Sequence, residues 1–121
     1  TRVPVLDGHT EAVFVSLEKP ASPDEVAGVM REFGKSFVEL GLPSAPPELI
    51  HVTDDPFRPQ PRLDRERGDG MTTTVGRLRA DHVMENGIKY VLVTHNTKMG
   101  AAKGAVLSAE YLVHAGYIER K

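Results

Sequence analysis

Two residues near the start of the chain carry the strongest chemical signal, Arg2 and His9 within RVPVLDGHTE. A guanidinium presents a planar fork of N–H donors that can grip a carboxylate through two parallel bonds. An imidazole changes charge near neutrality and can carry a proton. Fully extended, the seven steps from Arg2 to His9 would span about 23 Å, too far for both to meet one small substrate. Pro4 and above all Asp7-Gly8 allow a bend between them. A solvated arginine beside an unrelated loop histidine is the commoner meaning of such a pair, and spacing alone leaves both readings open. Near the other end, Asn96 precedes the slim stretch Gly100-Ala101-Ala102. A carboxamide there can cap a helix, hydrogen-bond a ligand amide, or do both. The small side chains leave room for another backbone or a ligand to approach.

Other polar residues point to structure more than to chemistry. Arg58, Arg62, Arg65 and Arg67 interleave with Asp54, Asp55, Asp64, Glu66 and Asp69. That mixture suits a solvated loop or subunit contact, because a nucleic-acid footprint is uniformly basic. His51, His82, His95 and His114 show no ligand-like spacing with carboxylates, so they are expected to be structural or surface residues, with no metal. The chain has no cysteine, which excludes a thiol nucleophile, a disulfide and cysteine-bound zinc within it. No glycine-rich dinucleotide fingerprint occurs.

The elements that must position these residues follow from pattern. Glu11 to Leu17 alternates, with Ala12, Phe14 and Ser16 on one face and Val13, Val15 and Leu17 on the other, as in a strand at least partly covered on both sides. Ser22-Pro23-Asp24-Glu25 starts a helix with a capping box and a proline at the first helical position. Val26, Val29, Met30 and Phe33 make its apolar stripe, and Gly34 its stop, with a weak continuation through Phe37 and Leu40. Leu49 to Thr53 is a short strand. Asp54 to Gly70, with Pro56, Pro59 and Pro61, is a long loop. Met71 to Arg79 and Ile88 to Thr94 are strands, the second introduced by an Asn86-Gly87 turn. A final helix is capped by Asn96 or Thr97, buries Ala102, Val106, Ala109 and Leu112/Val113, and ends at Gly116. The order predicts an α+β fold, a mixed and mainly antiparallel sheet with helices on one face.

Bulk properties agree with one modest domain. The 121 residues are 40% hydrophobic and 26% charged, with a net charge of -2, so nucleic acid and acidic membranes are not expected partners. A chain of this size buries roughly two-thirds of its unfolded surface, and some apolar faces are expected to need another domain or subunit. No apolar run reaches the length of a membrane span and no signal peptide is evident, which makes the cytoplasm the expected location. The immediate entry at Thr1 into strand-like sequence suggests a chain cut from something longer.

RVPVLDGHTE, LPSAPPE with IHVTDDPFRPQPRLDR, GMTTTVGRLR and HNTKMGAAKGAVLSAEYLV occur in that order. Together they resemble the aspartate-semialdehyde dehydrogenases, in particular the archaeal and fungal branch, over essentially the whole chain. The resemblance implies a fold like the C-terminal domain of glyceraldehyde-3-phosphate dehydrogenase. Residues 1–95 would belong to a substrate-binding and dimerisation domain, and 96–121 to a C-terminal helix packed on an N-terminal NADP-binding Rossmann domain that this chain lacks. It implies an oxidoreductase of lysine, threonine and methionine biosynthesis, interconverting L-aspartate 4-semialdehyde and L-aspartyl 4-phosphate with NADP and phosphate through a cysteine thioester. His9 would be the acid/base that assists thiol attack, Arg2 the grip on the substrate α-carboxylate, and Asn96 with Gly100 the contacts to the cofactor. The nucleophilic cysteine and the dinucleotide fingerprint would lie earlier than Arg2. A homodimer or homotetramer is implied, and the chain alone is expected to be inactive. Two alternatives stand beside this, a malonyl-CoA reductase of the same family and a non-catalytic dimerisation module.

Overall fold

The computed structural model describes residues 4–119. Four strands, β1 (His9–Ser16), β2 (Ile50–Thr53), β3 (Thr73–Asp81) and β4 (Gly87–Thr94), form one sheet in the order β1-β4-β3-β2. β1 and β3 each pair antiparallel with β4, and β2 runs parallel to β3. The helices are α1 (Pro23–Glu32), α2 (Lys35–Val38), α3 (Pro61–Asp64) and α4 (Lys103–His114), the last preceded by a π-helical turn, Lys98–Ala102. This is the α+β fold and mixed, mainly antiparallel sheet that the sequence pattern predicts.

α1 begins where the capping box requires. Ser22 N–H donates to Glu25 Oε2 at 2.7 Å, and Glu25 N–H donates to Ser22 Oγ at 3.2 Å, so two otherwise orphaned donors are satisfied reciprocally. Gly34 ends the helix in a left-handed conformation (φ 73). Its missing side chain leaves the space that Leu49 fills, and α2 resumes directly after it.

Residues opposite one another across a ladder share a face, which assigns Val52, Val75, Leu92, Tyr90 and Val13 to one side. Ala27, Val52 and Val75 are the buried centre there, with Met30, Ile50, Leu78, Tyr90 and Leu92 packed around them. Val75 and Leu78 both reach this core because β3 carries a bulge between Gly76 and Arg79, with Arg77 at φ 56; the extra residue reverses the alternation. On the opposite side, a Cβ on Gly76 would lie 2.5 Å from the Arg58 carbonyl oxygen. Only glycine lets the 54–64 segment lie so close to the strand.

The apolar stripes expected on α1, α4 and β1 are present, but much of each is exposed among the described residues. In α1 the buried residue is Ala27, whereas Val29 and Phe33 of the predicted stripe are 71% and 61% exposed. In α4 only Leu107 is buried, and Ala102, Val106, Ala109, Leu112 and Val113 are exposed. On β1, Phe14 is 58% exposed, so the Ala12/Phe14/Ser16 face is not covered by the described residues. A helical period finds an apolar stripe but does not say which molecule covers it. The end of α4 agrees with expectation: Gly116 adopts φ 77, and Tyr117 N–H donates to Leu112 O at 2.9 Å, closing a left-handed C-terminal cap.

Candidate functional site

The site grows from the place where β1 begins beside the end of β4. His9 is exposed and pairs across the ladder with Thr94. The two therefore share a face, onto which Thr94 Oγ donates to Met99 Sδ at 3.1 Å and Thr73 Oγ to the same sulfur at 3.4 Å. Among the described residues, no hydrogen bond or ion pair engages the His9 imidazole. Arg2 lies outside the described residues.

The turn into β1 is held from three sides. Gly8 has φ 104, which strongly disfavours any side chain. A Cβ there would also stand 3.5 Å from both Arg65 Cβ and Thr94 O. Gly8 N–H donates to Asn96 Oδ1 at 2.8 Å. Asn96 thus bridges across 88 positions of sequence to the residue before His9, and His9 and Asn96 are neighbours in space. Among the described residues the Asn96 Nδ2 donors make no hydrogen bond, and the side chain is half-buried. Asn96 does not cap the helix, as half of the sequence expectation had it. Thr97 does not cap with its side chain either.

His95 does that work, and spacing gave no hint of it. It is 3% exposed. Its Nδ1 lies 3.3 Å from both Thr97 N and Lys98 N, and 3.2 Å from Thr97 Oγ. Backbone N–H groups can only donate, so Nδ1 is the acceptor and the ring proton sits on Nε2. Nε2 faces Glu66 Oε1 at 3.4 Å. The His95 carbonyl accepts from Gly100 N–H at 3.1 Å, a five-residue step that makes the turn π-helical. Gly100 itself is exposed, and a Cβ there would meet only that carbonyl oxygen, at 3.8 Å. Among the described residues the surface beside Gly100-Ala101-Ala102 is open.

The 54–70 segment is an ordered wall of the site rather than a free loop. Asp64 is 1% exposed and takes both Arg58 Nε at 2.8 Å and Arg58 Nη2 at 2.5 Å, with Gln60 N–H donating at 2.6 Å. Burial would push the Asp64 carboxyl up. The Arg58 bonds, the Gln60 N–H and the Arg67 charge outweigh that and hold it below the ordinary range. Further along, the acids pair mainly with α4-side lysines instead of the interleaved arginines. Lys98 Nζ reaches Glu66 at 2.6 Å and Asp69 at 3.0 Å, and Lys103 Nζ reaches Asp69 at 2.5 Å. The two ammonium groups hold the Asp69 carboxyl down to about 2. Arg62 and Arg65 instead face the segment leading to His9, lining with Pro4, Val5 and Leu6 an open cavity of about 420 Å³. His51 is structural, 3.0 Å from Glu48. The described residues hold no cluster of three metal-ligating side chains, and none of their helices is long and apolar enough to cross a membrane.

Residues 1–99 match the family described as semialdehyde dehydrogenase, dimerisation domain. The aspartate-semialdehyde dehydrogenase of Methanothermobacter thermautotrophicus is 50% identical over 92% of this chain and 32% of its own length. The crystal structure of aspartate semialdehyde dehydrogenase with NADP from Candida albicans superposes with a TM-score of 0.82, at 45% identity, over 97% of this chain and 33% of that one. Aspartate semialdehyde dehydrogenase II complexed with ASA from Vibrio cholerae gives a TM-score of 0.72 at 30% identity, over 93% of this chain and 29% of that one. The chain spans about a third of the length of the curated relatives it matches, corresponding to their C-terminal dimerisation domain.

Proposed function

We propose, for a chain that belongs to the semialdehyde dehydrogenase family through its C-terminal dimerisation domain, that it is the substrate-side third of an enzyme interconverting L-aspartate 4-semialdehyde and L-aspartyl 4-phosphate. The observation that carries this reading is the Gly8–Asn96 hydrogen bond. It ties the proton carrier His9 to an open helix-start turn of the kind a flat ligand can approach.

His9 has an exposed imidazole with no competing partner among the described residues, as a proton carrier requires. In this reading it moves a proton between a thiol on the missing domain and the aldehyde oxygen. Arg2 grips the α-carboxylate and orients the aldehyde towards that thiol. The cavity lined by Arg62 and Arg65 supplies a positive wall for the α-carboxylate of the semialdehyde and for the phosphate co-substrate.

NADP, when bound, accepts or returns the hydride. The residues present fit one edge of such a cofactor. Asn96 keeps its Nδ2 donors available while its Oδ1 is used, and the surface at Gly100 is open for close approach. Binding of the cofactor's phosphates is left to a Rossmann domain outside this chain, against which the exposed Val106, Leu112 and Val113 face of α4 would pack. The open Phe14 face of β1 is the surface for a second subunit in a homodimer or homotetramer. The enzyme is placed in the cytoplasm, in lysine, threonine and methionine biosynthesis.

The test is an assay of the complete protein with aspartate semialdehyde plus phosphate against malonyl-CoA as alternative substrate, each with NADP(H). Turnover with the first pair is expected. Turnover with malonyl-CoA alone, or with neither, would remove the proposal.

A further inference from the structure

We infer that His95 is a positioning residue, which builds the turn that presents Asn96 and Gly100 and holds that turn in register with His9. The inference rests on the reading of Asn96 and Gly100 as the cofactor-facing edge.

One buried ring satisfies the start of the C-terminal helix. Its Nδ1 is shared by two backbone N–H groups and the Thr97 hydroxyl, while its own carbonyl closes the π-helical turn onto Gly100. Without an acceptor at that position, the part-buried Thr97 and Lys98 N–H donors would lose their partner, which is costly. The ring is fixed from the other side as well. Nε2–H points to Glu66, whose second oxygen is bound by Lys98. Lys98 also holds Asp69, and Asp69 holds Lys103 at the first residue of α4. Gly70 (φ 74) makes room for the arrangement, since a Cβ there would lie 2.5 Å from Lys98 Cδ and 3.1 Å from His95 Cδ2.

The consequence falls on the next residue. Asn96 can reach Gly8 N–H only while the backbone between strand and turn keeps this course. His95 therefore sets the Asn96 carboxamide without itself facing the site, and the tautomer decides how. The acceptor nitrogen is what the turn needs, so an asparagine at 95, whose Oδ1 lies about where Nδ1 does, should serve in its place. A glutamine, which offers a polar group at the Nε2 position, should not.

The test uses the complete dehydrogenase, with dinucleotide affinity measured by fluorescence titration and KM and kcat measured for both substrates. His95→Ala and His95→Gln are expected to weaken NADP binding by roughly two- to thirty-fold, the range that corresponds to loss of a helix-cap acceptor. KM for the semialdehyde should stay within about twofold, and His95→Asn should recover most of the affinity. In an Asn96→Ala background, His95→Ala should add little, because the two act as one unit. If Asn96→Ala weakens NADP binding but His95→Ala does not, or if the two losses simply add, the role of His95 is overturned and the cofactor-edge reading stands. If Asn96→Ala leaves NADP binding unchanged, the cofactor-edge reading falls, and this inference with it.

Discussion

The molecule has a closed end and an open end, built on opposite principles. Around His95 and Asp64, at 3% and 1% exposure, polar groups are matched: Arg58 with the buried Asp64, and at the more exposed margin Glu66 with Lys98 and Asp69 with Lys103. Around Phe14, Val29, Val106, Leu112 and Val113, apolar groups stand exposed and unmatched. Buried polar pairs require fixed geometry, since each unpaired member is penalised. They lie beside the turn that carries Asn96 and the turn into β1. Exposed apolar faces require only a complementary surface. In the proposed enzyme they are where other parts of the assembly attach.

The largest effect should come from breaking the closed end. Asp64→Ala leaves the Arg58 guanidinium and the Gln60 N–H without their acceptor, and a buried pair broken on one side typically costs roughly 3 kcal/mol. Urea unfolding of the complete protein should show that loss. A change below about 0.5 kcal/mol would mean that the pair merely decorates the surface. An intermediate effect is expected at the open end. Phe14→Asp should leave the fold intact but raise the dimer dissociation constant about tenfold or more, as for a charge set into an apolar contact. Sedimentation showing an unchanged assembly would assign that face to solvent.

The smallest effect concerns acid. The folded Asp69 carboxyl titrates at about 2 rather than 3.8 because Lys103 and Lys98 hold its charged form. A depressed folded pKa contributes stability that is complete above about pH 4 and disappears as pH falls towards 2. Thermal unfolding followed from pH 5 to pH 2 should therefore fall less steeply in Asp69→Asn than in the parent. Parallel profiles would show that this network does not report on the fold.

How far the sequence revealed this division depends on the range of the interactions. The Ser22–Glu25 capping box, the Asn86-Gly87 turn and the Gly116 stop involve residues a few positions apart, and each was legible. The apolar stripes of α1 and α4 were legible as stripes. What covers them was not legible, because periodicity records that a face is apolar and not which surface lies against it. The bridge from Asn96 to Gly8 joins residues 88 positions apart and left no local trace. His95 was hidden for the same reason. Its partners include Glu66 and the space at Gly70, and a histidine next to Asn96-Thr97 reads locally as the residue before a cap. Arg2, the strongest chemical candidate in the sequence, lies outside the described residues, so its role rests on residue type and resemblance.

The central claim is a division of labour between Arg2 and His9, and steady-state kinetics of Arg2→Lys and His9→Asn in the complete enzyme test it most directly. In the proposed mechanism Arg2 binds a carboxylate remote from the reacting carbon, so Lys, which keeps the charge but loses the fork, should raise KM for the semialdehyde strongly and lower kcat less. His9 is proposed to transfer a proton, so Asn should depress kcat by about 10² to 10⁴-fold, leave KM nearly unchanged and flatten the limb of the pH–rate profile that the imidazole governs. The same kinetic signature from both substitutions, or near-normal turnover in His9→Asn, would contradict the account.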